Sequence, residues 1–239
     1  MSAAVDRLSG VPVPPKLLFM DLDGTLVDTA PDLAACVDAM RVELGLPPCG
    51  EAQVRAWVGN GVDRLVKRAL TGRLDGEPAP ALFARARRLF MAHYAENTST
   101  CSRPYPGAVH ALDHFHRLGI PLVCITNKPG RFTEKLLADL GLRECFELVL
   151  SGDTLARKKP DPLPLLHAAG QFGLPPARCL MVGDSKTDVA AARAAGVPIV
   201  CVSYGYNHGE DIRAASPDAV IDSLEELPAL LAGVAGALS

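Results

Sequence analysis

Lys16-Leu17-Leu18-Phe19-Met20 runs straight into Asp21-Leu22-Asp23-Gly24-Thr25-Leu26-Val27-Asp28, and this junction decides the architecture. The residues before Asp21 are apolar without alternation, the pattern of a strand covered on both faces of a parallel sheet. Four further runs have the same form: residues 120–125 before Thr126, 148–150 before Ser151-Gly152-Asp153, 179–182 before Gly183-Asp184, and 199–202 before Ser203-Tyr204. Between them, residues 108–118, 130–140, 163–172 and 187–195 have helical periodicity, and Gly119, Gly141, Gly173 and Gly196 follow where a helix ends. Strands alternating with helices predict an α/β fold with a doubly wound, Rossmann-like parallel sheet. Ligands of such sheets bind beyond the carboxyl ends of the strands, so Asp21, Thr126 and Asp184 are expected to share one crevice.

Residues 28–103 break this alternation. Within them, residues 31–44, 51–70 and 80–96 show helical periodicity and no convincing strand, which predicts an inserted α-helical cap domain. The core is then discontinuous, formed by residues 16–27 and 104–239. Arg103-Pro104-Tyr105-Pro106-Gly107 marks the return to it, a stiff turn suited to a hinge.

The composition excludes several classes of partner. With 24 Lys and Arg against 27 Asp and Glu in 239 residues, the net charge of -3 gives no cationic field for nucleic acid or anionic lipid. The first fifteen residues contain no apolar export segment, and the apolar stretch 228–238 is too short to span a bilayer. The seven cysteines form no CxxC pair, which fits a reduced, cytoplasmic setting. A monomer or a homodimer is expected. His110 and His114 share a helix face without an acid or thiol at ligand spacing, and they read as surface residues.

Asp21 and Asp23 stand two positions apart on extended backbone and so project to one side. Two carboxylates about 4 Å apart repel by about 4 kcal/mol at an effective dielectric near 20. The pair therefore wants a cation, a proton or a lysine. Thr126-Asn127-Lys128, Lys158-Lys159-Pro160-Asp161 and Gly183-Asp184-Ser185-Lys186-Thr187-Asp188 follow the later strands and bring a donor, cations and a second acid pair. Asp184 and Asp188 also suit the start of a helix, and both roles are compatible.

These four segments, in this order, resemble the four motifs of the haloacid dehalogenase superfamily over nearly the whole chain. The resemblance implies that Asp21 is a nucleophile forming an aspartyl-phosphate and that Asp23 is the general acid and base. It implies Mg2+ held by the Asp21 carboxylate, the Asp23 carbonyl and the Asp184 carboxylate, with Asp188 behind these ligands. Thr126 and Lys159 would hold the phosphoryl oxygens, with Thr25 and Asn127 near the phosphate and Lys158 competing for the lysine role. Segments 21–33, 57–70, 125–129, 158–162 and 203–212 further resemble bacterial phosphatases of that superfamily whose cap follows the first motif, and the implied substrate is 2-phosphoglycolate. Its carboxylate calls for a cationic or amide-rich site, for which Gly59-Asn60-Gly61 at a helix start, followed by Arg64, Lys67 and Arg68, is the expected candidate, with Arg64 foremost.

The rival readings are a phosphatase of another small metabolite such as a sugar phosphate, a phosphomutase, and a Mg2+-dependent phospho-Asp signalling module. The length of the insertion argues against the last.

Overall fold

The computed structural model describes residues 14–237, so most of the leader and the last two residues of the expected core lie outside the described residues. The chain is an α/β protein whose six-stranded sheet is parallel throughout. Its strands are β1 (Leu17–Met20), β4 (Leu122–Ile125), β5 (Leu148–Leu150), β6 (Cys179–Gly183), β7 (Ile199–Val202) and β8 (Ala219–Ile221), in the order β5-β4-β1-β6-β7-β8. β1 is central. From it the chain builds outward through β4 and β5, then crosses over to build β6, β7 and β8 on the other side, and this reversal opens a crevice at the carboxyl end of β1.

The unbroken apolar runs are explained by two cores of opposite parity. Leu18, Met20, Leu122, Cys124, Leu180 and Val182 face one layer, which contains helices α5 (Ala108–Arg117) and α9 (Glu226–Ala237) and part of α6 (Gly130–Asp139). Leu17, Phe19, Val123, Ile125, Cys179 and Met181 face the other, with α7 (Leu163–Gln171) and α8 (Lys186–Ala195). Every residue of β1 is fully buried. Truncating Phe19 to Ala would cost about 3–5 kcal/mol.

Four helices interrupt this pattern: α1 (Ala30–Glu43), α2 (Glu51–Trp57), α3 (Val62–Thr71) and α4 (Pro80–Glu96). They enclose a third apolar cluster, including Val37, Met40, Trp57, Val66, Phe90 and Tyr94, which Phe132 and Tyr206 join from the core.

Two features differ from the sequence expectation and a third refines it. The helical periodicity of residues 51–70 is divided between α2 and α3 at Gly59, Asn60 and Gly61, which all have positive φ (114°, 63° and 89°) and stand where the sequence places a helix start. Consecutive left-handed residues cannot continue a right-handed helix, and glycine at two of the three makes the break cheap. β8 was not expected, because three residues between turns carry no readable period. Strands β2 (Val27–Asp28) and β3 (Arg103–Pro104) pair antiparallel where the insertion leaves and rejoins the core, although residues 28–103 show no convincing strand in sequence. Their two-residue length hides them from sequence.

Candidate active site

The crevice is built on the turn after β1. The Asp21 amide still bonds the Val182 carbonyl at 3.0 Å, so sheet geometry extends to the first carboxylate. Gly24 then turns the chain with φ +90°, and a Cβ there would strike the Asp184 carboxylate and the Tyr206 ring. Glycine is thus required both for the turn and for the approach of β1 to the β6 loop. Asp21, Asp23, Thr126, Asn127, Lys159, Asp184 and Asp188, seven of the expected residues, line one cavity.

Lys159 sits between two of the acids. Its ammonium lies 2.8 Å from Asp21 Oδ1 and 2.7 Å from Asp188 Oδ1, and the side chain is 2% exposed. Burial works to lower the Lys159 pKa, but the charges of Asp188 and Asp21 outweigh it and hold the ammonium protonated. Asn127 fixes the backbone of this lysine by donating to its carbonyl at 2.8 Å. Thr126 is buried at the end of β4, where its hydroxyl accepts from the Lys128 amide.

Asp188 serves two roles at once. It is the third residue of α8 and completes a capping box with Ser185, accepting from the Ser185 amide and hydroxyl, while its other oxygen holds Lys159. Asp184 accepts from the Thr25 hydroxyl at 3.1 Å and from the Tyr206 amide. Thr25 is fully buried and absent from the cavity lining, so its hydroxyl orients Asp184.

Oxygens of Asp21, Asp184 and Asp188 all lie within 4.8 Å of one another. One ammonium faces these three carboxylates, and burial together with the excess negative charge alters the acidity of Asp21 and Asp184. Burial, then the charge of Asp188, pushes Asp21 up to about 7, while burial, Asp21 and Asp188 push Asp184 well above the usual carboxylate range. A divalent cation would relieve that excess, and an all-oxygen donor set suits a hard one.

Asp23 is held apart from this cluster. Its Oδ1 accepts from the Thr29 hydroxyl at 2.7 Å and from the Lys128 ammonium at 2.8 Å. Lys128 also stands over the ring of Tyr94, 4.9 Å from its centroid. Sequence alone assigns no role to Lys128, Thr29 or Tyr94. The Thr-Asn-Lys segment was the available signal for the first; none existed for the other two.

The insertion closes the far wall with Val58, Gly59, Asn60, Gly61, Val62 and Leu65. Asn60 donates to the Thr187 hydroxyl at 3.0 Å, and its carbonyl accepts from Lys158 at 3.1 Å. Lys158 therefore grips the insertion, and Lys159 serves the acids. Arg64 is not brought to the site. It pairs with Glu77 at 3.0 Å on the exposed side of α3 and does not line the cavity, because it falls outside the helix face that Val62 and Leu65 present to it.

An α/β core with this acid, threonine and lysine arrangement defines a class, and the chain belongs to the haloacid dehalogenase-like hydrolases, whose family model matches residues 15–196. Within that class, relatives with more specific names are close. A phosphoglycolate phosphatase of Nitrosococcus oceani is 54% identical over 221 residues, covering 92% of this chain and 98% of that protein. One from Thiobacillus denitrificans is 51% identical, covering 92% and 96%. Among solved structures, a predicted phosphoglycolate phosphatase from Haemophilus somnus is 35% identical, with a TM-score of 0.85 over 90% of this chain and 97% of that one.

Proposed function

We propose that this protein is a Mg2+-dependent phosphatase that hydrolyses 2-phosphoglycolate to glycolate and phosphate. One observation carries the reading: two carboxylates from a single turn share a cavity in separate settings, Asp21 against Lys159 and Asp23 against Thr29 and Lys128. That separation suits a nucleophile and a proton carrier. The names of relatives at 45–54% identity support the substrate.

In the first half-reaction a carboxylate oxygen of Asp21 attacks phosphorus in line, and the bond to the bridging oxygen breaks as Asp23 gives that oxygen its proton. Glycolate leaves. In the second, Asp23 takes a proton from the water that attacks the phosphorus of the aspartyl-phosphate, so inorganic phosphate departs and the Asp21 carboxylate is regenerated. Lys159 and Thr126 hold the phosphoryl oxygens throughout, where fixed charge and dipoles need no reorganisation. Held by Asp21, the Asp23 carbonyl and Asp184, with Asp188 behind them, Mg2+ would supply positive charge to the phosphoryl oxygens and keep Asp21 ionised.

Residues 28–103 act as the cap over this chemistry, hinged at the short β2–β3 ribbon, and they exclude bulk water when closed. Among the described residues no helix is long and apolar enough to cross a membrane. All seven cysteines are free thiols, which supports a reducing compartment such as the cytoplasm.

The test is phosphate release from 2-phosphoglycolate, other small monoesters and sugar phosphates, each with Mg2+ and with EDTA. The expected result is Mg2+-dependent release with a strong preference for phosphoglycolate. Equal rates on all substrates would discard the substrate, and no release on any would discard the phosphatase.

A further inference from the structure

The expected reader of the substrate carboxylate, Arg64, is turned away from the cavity, and among the described residues no other cation of the insertion lines it. Lys67 pairs with Glu77, Arg55 pairs with Asp28 and Glu51, and Arg68 is spent on the carbonyls of Trp57, Gly59 and Leu74 and the amide oxygen of Asn60. Among the described residues lining the cavity, the cations are Lys159 and Lys128 alone. Lys159 already has two carboxylate partners, Asp21 and Asp188, and its remaining N–H belongs to the phosphoryl end.

Lys128 is different. Its ammonium is buried, with one carboxylate partner in Asp23, and it retains further N–H donors. Beside it the fully buried Tyr94 lines the same cavity, and its hydroxyl, which neighbours the Lys128 ammonium, has no well-aligned hydrogen-bond partner among the described residues. Such a group is costly unless something fills its place. The placement also matches the substrate. Asp23 delivers its proton to the bridging oxygen, and the carboxylate of 2-phosphoglycolate begins one methylene further on, so an ammonium touching Asp23 lies within reach of it.

We infer that Lys128 and Tyr94 form the subsite that binds the carboxylate of the substrate, Lys128 as counter-charge and Tyr94 as hydroxyl donor. The inference rests on the phosphoglycolate reading and assigns its specificity to residues outside the four motifs' known duties in this chain.

The test compares two stable phosphonates in the presence of Mg2+: 3-phosphonopropionate, which replaces the bridging oxygen of phosphoglycolate by a methylene, and propylphosphonate, which lacks the carboxylate. Calorimetry on the wild type is expected to show tighter binding of the first by about 10- to 100-fold, the range of a hydrogen bond to a charged group. Lys128→Met should bring the ratio close to one, and Tyr94→Phe, which keeps the ring and its packing, should lower it several-fold. Turnover is read in parallel: kcat/KM for phosphoglycolate should fall more than kcat/KM for ethyl phosphate in each variant. If the wild type discriminates and both variants keep the full ratio, the subsite is overturned while the substrate stands. A wild type that does not discriminate overturns the phosphoglycolate reading and the subsite with it. Should Lys128→Met not fold, as judged by circular dichroism, Lys128→Gln and Tyr94→Phe decide the matter by the same ratio.

Discussion

Tyr206 ties Asp184 to the start of the insertion. Its backbone amide donates to the Asp184 carboxylate, while its hydroxyl accepts from the amides of Thr29 and Ala30, at 3.0 Å each, and donates to Asp28. One residue thus bridges an acid of the three-carboxylate cluster and the start of α1, so the position of the insertion and the position of Asp184 are not independent. Gly205 makes this possible, since a Cβ there would strike the Asp184 carboxylate.

Tyr206→Phe removes the acceptor of two buried amides while leaving the ring in the apolar cluster. The expected loss is about 1–3 kcal/mol of stability. A lowered thermal midpoint checks it, and an unchanged midpoint would show that water replaces the hydroxyl at no cost.

Neighbouring lysines should behave very differently. Lys159→Ala leaves Asp21 and Asp188 facing each other without an ammonium, and turnover should fall by about 100- to 1,000-fold, the scale of a lost transition-state donor. Lys158→Ala removes one hydrogen bond to the Asn60 carbonyl, and kcat/KM should change by less than about tenfold. Steady-state kinetics on both variants distinguish the two roles, and similar losses would contradict the assignment.

Asp21→Asn should abolish the phospho-enzyme, and Asp23→Asn should abolish turnover with the fold intact. Rapid acid quench with labelled substrate checks the first, and phosphate release alongside a thermal melt checks the second. Normal turnover by Asp23→Asn would end its assignment as acid and base.

Stability without metal should fall as pH rises from about 4 to 7. Burial and Asp188 raise the Asp21 pKa from its ordinary value of 3.8 to about 7, and Asp184 is raised in the same direction. Across that window the folded protein holds protons that the unfolded chain has released, so the stabilisation is present at low pH and is lost as pH climbs through the folded value. Mg2+ should flatten the decline by binding the ionised acids, and its affinity should increase with pH. Thermal melts in EDTA and in Mg2+ across this range give both slopes; parallel slopes would exclude these carboxylates as the ligands.

Much of the core was legible because its signals are local. Leu17 and Phe19 face one helical layer and Leu18 and Met20 the other, so a strand buried on both sides must be apolar at every position. The glycines after the helices and the polar residue ending each strand are equally local. β8 and the β2–β3 pair were not legible, because two or three residues do not make a period and their pairing partners lie far along the chain. The helix start after Gly59-Asn60-Gly61 was legible, whereas the contacts of Asn60 with Thr187 and Lys158 were not, because those partners lie about a hundred residues further along the chain.

The sheet, the run of helices between β2 and β3 and the acids of the crevice are each written in a contiguous pattern of apolar residues, glycines and carboxylates. Which cation serves which acid follows from the folded arrangement alone. Lys159 goes to Asp21 and Asp188, Lys128 to Asp23, Lys158 to the insertion and Arg64 to Glu77. The reason is physical: the strength of an ion pair depends on distance and burial, and for groups separated by scores of residues both are set where the strands end and the helices pack.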